Sequence, residues 1–183
     1  MKKGIMLLEV IIAISLMAIL VAVAVPNFRA RFPEQITNKF FSNLNVLSSA
    51  AWQSSITTGR LHRVIFDFTS KKITIEREKK EAVGGKGLDA DEAFEPVPSA
   101  YMDHIYYPKH LEVKNFYVAG KDELMENAKQ SWFFITPLGI TQEVVINLED
   151  NSNPNIDEPD VFGLVLNPFS AQFKKYETAQ NPS

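Results

Sequence analysis

The stretch Gly4-Ile-Met-Leu-Leu-Glu9-Val-Ile-Ile-Ala-Ile-Ser-Leu-Met-Ala-Ile-Leu-Val-Ala-Val-Ala-Val25-Pro26 decides how the rest of the chain is organised. The 21 residues from Ile5 to Val25 are apolar except for Glu9 and Ser15. As a helix rising about 1.5 Å per residue, they would reach about 31 Å, close to the thickness of bilayer hydrocarbon. A carboxylate is costly in lipid, so it usually persists for a function and with a partner. We therefore expect a transmembrane helix whose Glu9 meets a cation near the start of the same segment in a neighbouring subunit.

Three interpretations of this segment compete. It could be a plain signal anchor, or a cleaved secretory signal with a basic start at Met1-Lys2-Lys3 and a small-x-small cleavage site at Ala22-Val23-Ala24. Neither of these needs Glu9, and the helical pattern continues beyond the second site. In the third, a short basic leader ends at Gly4, and its removal frees an amine at Ile5 that pairs with Glu9 of a neighbour. Only the third interpretation explains the carboxylate.

The stretch from Lys3 to Val10, followed by the apolar run and Val25-Pro26-Asn27-Phe28, resembles the start of type IV pilins and type II secretion pseudopilins. The resemblance implies that a prepilin peptidase cuts after Gly4 and methylates the new N-terminal Ile5. It also implies that Glu9 guides assembly into a helical filament and that Pro26 bends or locally melts the stem. The family usually has Phe, less often Met, where this chain has Ile5.

Composition restricts the class of protein further. A length of 183 residues leaves room for one domain beyond the apolar segment, and 13 Phe can fill its core. The net charge of −3 would become −5 after loss of Lys2 and Lys3, which argues against nucleic-acid binding by the whole surface. The absence of cysteine excludes disulfides, thiolate zinc sites and cysteine nucleophiles. The basic start predicts a cytoplasmic N-terminus, and hence an inner-membrane protein with a periplasmic C-terminal domain.

Beyond the apolar run, the pattern first stays helical and then becomes that of strands. The pattern is helical from Glu34 to Thr58, and Gly59 is a natural terminator. Within it, one apolar stripe consists of Ile36, Phe40, Leu44, Leu47 and Ala51. The period then changes to two, which predicts a first hairpin, three strands and a closing hairpin, at residues 60–76, 111–118, 131–136, 140–148 and 161–176. The order indicates an α+β fold, and the pilin-like resemblance implies a long N-terminal helix on an antiparallel β-domain of two small sheets.

These patterns divide the chain into five parts: a leader at 1–4, a transmembrane and assembly helix at 5–25, its periplasmic continuation at 26–59, a β-domain at 60–176 and a flexible tail at 177–183. Two segments rich in glycine, proline or acidic residues, 79–99 and 149–160, are predicted to be loops. The first is long for a compact domain, so it is either mobile or a contact for a partner.

Two stretches of the predicted β-domain narrow the resemblance. Phe133–Thr141 and Val165–Phe173 are similar to the strand–turn–strand and the final hairpin of minor pseudopilin H and of the related FimT-like minor pilins. The resemblance implies a structural minor subunit of a type II secretion pseudopilus. Its partners would be other major and minor pseudopilins, the prepilin peptidase, the inner-membrane assembly platform and the secreted cargo. The alternative is a FimT-like minor type IV pilin involved in pilus assembly or DNA uptake.

Few other residues point to chemistry. Asp150, Asn153 and Asp157 offer oxygen ligands for calcium, but the glycine and terminal glutamate of an EF-hand are missing, so a solvated loop is the better interpretation. The three histidines lack metal-ligand spacing and no nucleophile motif occurs, so we expect neither a cofactor nor an enzyme. Lys174 and Lys175 are candidate DNA contacts, although two lysines neutralise few phosphates and more often protect an edge strand.

Overall fold

The computed structural model describes residues 2–80, 93–97, 102–124, 128–152 and 159–182, with side chains in the N-terminal helix described at 9–22 and from residue 33 onward. The chain divides into two compact units, Met1–Thr37 and Asn38–Ser183, which we call the stem and the head. Helix α1, Lys2–Thr58, supplies the stem and the first residues of the head.

The described part of the head contains ten strands in two antiparallel sheets. Sheet A has the order β3-β2-β1-β7, with β4 also paired to β2, and sheet B has the order β10-β9-β8-β5-β6. The strands are β1 (His62–Asp67), β2 (Lys72–Glu78), β3 (Phe94–Pro96), β4 (His104–Tyr106), β5 (Leu111–Val118), β6 (Lys121–Asp122), β7 (Gln130–Ile135), β8 (Val144–Asp150), β9 (Asp160–Leu166) and β10 (Phe173–Tyr176). The predicted α+β class with two antiparallel sheets is confirmed.

One face of α1 packs on both sheets. The predicted stripe is confirmed for its last four members, which are buried with side chains of both sheets in one core cluster: Phe40, Leu44, Leu47 and Ala51. The prediction was wrong for Ile36, whose side chain is 49% exposed. Ile36 precedes Asn38, where the head begins, so helical spacing alone does not mark where packing starts.

Aromatic rings fill the space between the sheets. Phe66, Phe116 and Phe133 come from β1, β5 and β7 and are almost completely buried. The ring centroids of Phe66 and Phe116 lie 4.9 Å apart, and those of Phe66 and Phe133 lie 6.1 Å apart. Tilted aromatic pairs at these distances add to the stability gained by burying the rings.

Specific turn residues connect these elements as the sequence predicts. Gly59 ends α1 with a φ of 62°, a conformation that glycine adopts without strain. The β1–β2 hairpin is confirmed, and in its turn the Asp67 carboxylate accepts the backbone N–H groups of Thr69 and Ser70 at 2.9 and 2.8 Å. Because these hydrogen bonds favour the ionised form, they lower the pKa of Asp67.

The long predicted loop contains more structure than its composition indicates. Strand β3 lies within residues 79–99 and pairs with the end of β2, while residues 81–92 and 98–99 of that loop lie outside the described residues. Glu95 holds this pairing, because its carboxylate lies 2.7 Å from Arg77 Nε and 3.4 Å from Arg60 Nη1. Strand β4, which the sequence pattern did not predict, pairs with the start of β2. Three-residue strands are too short to show an alternating pattern.

The C-terminal segment expected to be a flexible tail is instead held against sheet B. The Asn147 side chain donates to Gln180 O at 2.9 Å and accepts from Gln180 N at 2.8 Å. Gln180 and Thr178 also approach Gly163 so closely that a Cβ there would lie 2.5 Å from Gln180 Cγ. The small residue in β9 therefore makes room for the tail, and the buried Asn147 side chain pairs with its backbone.

Truncation of the stripe should destabilise the head more than truncation of the adjacent exposed position. Leu47→Ala removes a fully buried side chain and should lower the free energy of unfolding by about 2–5 kcal/mol. Val46→Ala, at a 42% exposed position one residue earlier, should change it by less than about 0.5 kcal/mol. Urea unfolding of residues 38–183, which contain the whole described core cluster, measures both values. Equal effects of the two variants would contradict the packing described above.

Candidate functional site

The residues predicted to direct processing and assembly all lie in α1, which is helical through Pro26. The side chains of Gly4, Ile5 and Pro26 fall outside the described ones. Glu9 lies in the described part of the helix, and its side chain is exposed. The cleavage site and the pairing of Glu9 with an Ile5 amine therefore stay predictions.

Between residues 9 and 22 the stem helix exposes apolar side chains around its whole circumference, apart from Glu9 and Ser15. All residues from 9 to 22 are exposed, and successive residues of a helix point about 100° apart. Among these residues, Ser15 satisfies its own hydroxyl by donating to Ile11 O at 2.7 Å. A helix that is apolar all round is typical of a segment covered by lipid or by other helices.

Within the described residues, no helix combines the length and the apolar character needed to cross a membrane. The transmembrane span at residues 5–25 stays a prediction.

Polar side chains on the flanks of α1 fix how the helix lies on the head. Asn45 pairs with the backbone of Phe173, donating to its carbonyl at 3.1 Å and accepting from its N–H at 2.6 Å. Trp52 Nε1 donates to Gly139 O at 2.7 Å, and Ser55 Oγ donates to Thr136 O at 2.9 Å. None of these contacts follows from the local sequence pattern, because each joins the helix to a backbone group more than 80 residues away in the chain.

His62 joins the last turns of α1 to the start of β1. The side chain is completely buried, with Nε2 2.9 Å from Ser54 Oγ and Nδ1 2.9 Å from Arg60 O. Burial disfavours the imidazolium and lowers the pKa of His62 below its ordinary value of 6.5, and the nearby Arg60 and Arg77 charges act in the same direction. His62 is therefore a structural histidine that the fold keeps neutral.

Stability of the head should fall on acidification below about pH 6.5. The unfolded chain takes up a proton at His62 more readily than the folded head does. The contribution of His62 to the free energy of unfolding is therefore complete above pH 6.5 and declines below it, by up to about 1.4 kcal/mol per pH unit. Urea midpoints between pH 7 and 5 measure this. The His62→Gln head should show a flatter profile, because glutamine takes up no proton in this range. Equal slopes for wild type and His62→Gln would refute this assignment.

A buried cation organises the outer side of sheet A. Arg63 places Nε and Nη2 at 2.9 and 2.7 Å from Glu76 Oε2, and its guanidinium carbon lies 4.4 Å from the ring centroid of Phe94 and 5.4 Å from that of Trp132. A buried charge is stable only when it is paired, and these partners pair it. The contacts give Arg63 a role in holding β3 to the sheet.

Lys174 and Lys175 do not form a single basic patch. They are consecutive residues of β10, so their side chains leave opposite faces of sheet B. Lys174 Nζ lies 4.9 Å from the ring centroid of Tyr176, whereas Lys175 Nζ lies 5.1 Å from that of Phe162 and 3.2 Å from Glu177 Oε1. The two lysines cannot contact adjacent phosphates from one face. Their position on an edge strand fits protection of that edge.

The calcium candidates are only partly described. Asn153 and Asp157 lie outside the described residues, and the Asp150 carboxylate accepts the Ser152 N–H at 2.9 Å. Within the described ranges, no group of three or more His, Asp or Glu side chains could hold a metal ion. The predicted calcium ligands therefore stay a prediction.

Comparison with known proteins finds similarity at the level of structure. No protein-family model matches the chain, and no curated protein matches it. Two solved structures of the minor pseudopilin EpsH from the type II secretion system of Vibrio cholerae are similar to it, each with 12% sequence identity. One covers 76% of this chain and 92% of that chain with a TM-score of 0.46; the other covers 80% and 92% with a TM-score of 0.45.

Proposed function

We propose that this chain is a structural minor subunit of a type II secretion pseudopilus, similar to pseudopilin H. The observation that carries the proposal is the stem: a helix apolar on all sides, with Glu9 exposed five residues after Gly4, that continues as the spine of the head. An anchor or a secretory signal would use the apolar run but not the carboxylate. A filament subunit uses both, because its helix must leave lipid and pack among other helices.

In the proposed mechanism, the subunit is first stored in the inner membrane. The positive charges at the start keep the N-terminus in the cytoplasm, so that the head lies in the periplasm. A prepilin peptidase cleaves after Gly4 and methylates Ile5. The new Ile5 amine then provides the cation that Glu9 of an adjacent subunit lacks within lipid.

Charge pairing gives assembly a direction and a register. An isolated carboxylate in an apolar environment is unfavourable, and an amine on a neighbouring helix relieves this cost. Because the amine and the carboxylate lie at fixed positions on their helices, they meet only when the two helices are offset by one particular distance. The assembled stems would form a short periplasmic filament that carries the heads and helps export folded proteins across the outer membrane. The assembly platform and the peptidase would be separate proteins, and the heads would contact other pseudopilins and the cargo.

The alternative, a FimT-like minor type IV pilin that contacts DNA, receives no support from Lys174 and Lys175. Their side chains leave opposite faces of β10, and Lys175 is paired with Glu177. Affinity for nucleic acid rises with the number of phosphates that are neutralised together. The chain therefore fits a structural role better than a DNA-binding role.

Mass spectrometry of the chain isolated from membranes should identify the mature N-terminus. The proposal predicts loss of Met1 to Gly4 and addition of one methyl group to Ile5. A Gly4→Leu variant should keep its leader, because the residue before the cut is then too large for a site that takes glycine. A mature N-terminus near Val25 would instead identify a secretory signal and contradict the proposal.

Replacing Glu9 by glutamine should block assembly without blocking membrane insertion. Glu9→Gln keeps the shape of the side chain but removes its charge, so incorporation into filaments and export should fall by roughly tenfold or more, equivalent to about 1.4 kcal/mol. Ser15→Ala is the matched control, because the Ser15 hydroxyl is satisfied within its own helix. Cross-linking of filament subunits and the amount of exported protein report the effect. If Glu9→Gln assembles and exports as well as wild type, charge pairing is not the basis of assembly.

A further inference from the structure

Two turns of the head, joined by a backbone hydrogen bond, expose large apolar side chains. In the turn between β7 and β8, Leu138 is 84% exposed and Ile140 is also exposed. In the turn between β9 and β10, Phe169 is 71% exposed. Single exposed apolar residues are common on protein surfaces, whereas a group of them on adjacent turns is a mark of an interaction surface.

Hydrogen bonds and close packing bring these turns together at the C-terminal end of α1. Thr141 N donates to Pro168 O at 2.9 Å, which joins the two turns. Trp52 Nε1 donates to Gly139 O at 2.7 Å, and a Cβ at Gly139 would lie 2.9 Å from Ile56 Cδ1, so the helix end adjoins the first turn. Ile56 is itself exposed. We call the exposed side chains of Ile56, Leu138, Ile140 and Phe169 the apolar patch.

The backbone beneath the apolar patch is held in place. Gly139 N donates to Thr136 O and Thr136 N donates to Ile140 O, both at 2.9 Å, and Gly139 has a φ of 73°. In the second turn, Asn167 accepts the N–H of Phe169 on Oδ1 at 2.9 Å and the N–H of Ala171 on its carbonyl at 3.0 Å. Leu138 and Phe169 are therefore presented on a preorganised surface, which reduces the entropy cost of binding.

The segments that form the apolar patch carry no charge. Residues 41–59, 136–142 and 167–173 contain no Asp, Glu, Lys or Arg, although these residues make up 22% of the chain. An interface core depleted in charge suits a partner surface that is also uncharged and apolar. The same depletion disfavours a membrane surface, because binding to anionic lipid requires lysine or arginine near the apolar side chains.

We propose that the apolar patch docks an uncharged apolar surface on the head of a neighbouring subunit of the same filament. The rigidity of the turns and the absence of methionine from these segments favour one fixed partner over varied exported proteins, since surfaces that accept many partners are usually flexible or rich in methionine. The inference rests on the proposed function, because it takes the partner to be another pilin-like subunit.

Photo-cross-linking of the full-length chain in its own membrane tests the contact. p-Benzoylphenylalanine replaces Phe169 or Leu138 in turn, and the control places it at Tyr106, an exposed aromatic residue. Tyr106 of β4 pairs with Lys72 of β2, and Lys72 also pairs with Asp67 at one end of β1. The apolar patch adjoins the opposite end of β1, where His62 pairs with Ile135 of β7. We expect cross-links from positions 138 and 169, but not from 106, to a chain that mass spectrometry identifies as another subunit with a prepilin leader. Cross-links only to lipid, only to exported protein, or to nothing in assembled filaments would overturn the inference.

Charge substitution separates this inference from the proposed function. The double variant L138E/F169E should be processed and should keep the urea midpoint of wild type. With p-benzoylphenylalanine in place of Ile56 as the probe, its cross-link should fall by roughly tenfold or more, because two carboxylates would be desolvated in the interface. Tyr106→Glu should lose none of it. If L138E/F169E keeps the cross-link and assembles like wild type, the docking surface is wrong while the proposed function stands. If wild type itself keeps its leader or never enters a filament, the proposed function fails, and the inference fails with it.

Discussion

The burial of one stripe of α1 against two sheets is the constraint on which the rest of the head depends. Leu44 and Leu47 belong to a single core cluster that includes Phe66 of sheet A and Phe116 of sheet B. A sheet that is apolar on one side needs another element to cover that side. The helix covers both sheets in one core, although their strands are interleaved along the chain, with β7 of sheet A lying between β6 and β8 of sheet B.

The stripe also determines what the other faces of the helix can do. Once Leu47 points into the core, Asn45 and Trp52 lie on one flank, where each reaches a backbone group of the head. The outward face, which includes Val46, is then left to solvent. Hydrogen bonds depend on distance and direction, so those of Asn45 and Trp52 fix the rotation of α1 about its axis, which apolar contacts alone would not determine.

Local patterns in the sequence were sufficient to predict much of this architecture. The stripe and the β1–β2 hairpin follow from periods of 3.6 and 2, and Gly59 marks the end of the helix. Local patterns did not predict three features: the exposed position of Ile36, the short strand β3 and the docked C-terminal segment. Each depends on partners distant in the chain, such as Arg77 for Glu95 or Asn147 for Gln180, which no local pattern encodes.

The candidate sites also differ in whether the sequence alone reveals them. Glu9 is visible in the sequence because a carboxylate conflicts with its own neighbours. The apolar patch is not, because Leu138 and Phe169 are ordinary turn neighbours in the sequence and become a surface only when Thr141 joins their turns. The burial of His62 and Arg63 was likewise not predicted, since it depends on contacts with Ser54 of α1 and with Glu76 and Phe94 of sheet A.

The two features proposed to guide assembly differ in their physical nature. Glu9 of the stem is a charge, and its neighbours from residue 10 to residue 22 are apolar except for Ser15. The apolar patch of the head lies on segments that carry no charge at all. A charge in an apolar environment is relieved by an opposite charge, whereas an uncharged apolar surface is stabilised by removal from water. Because the two interactions depend on different residues, each can be altered without changing the other.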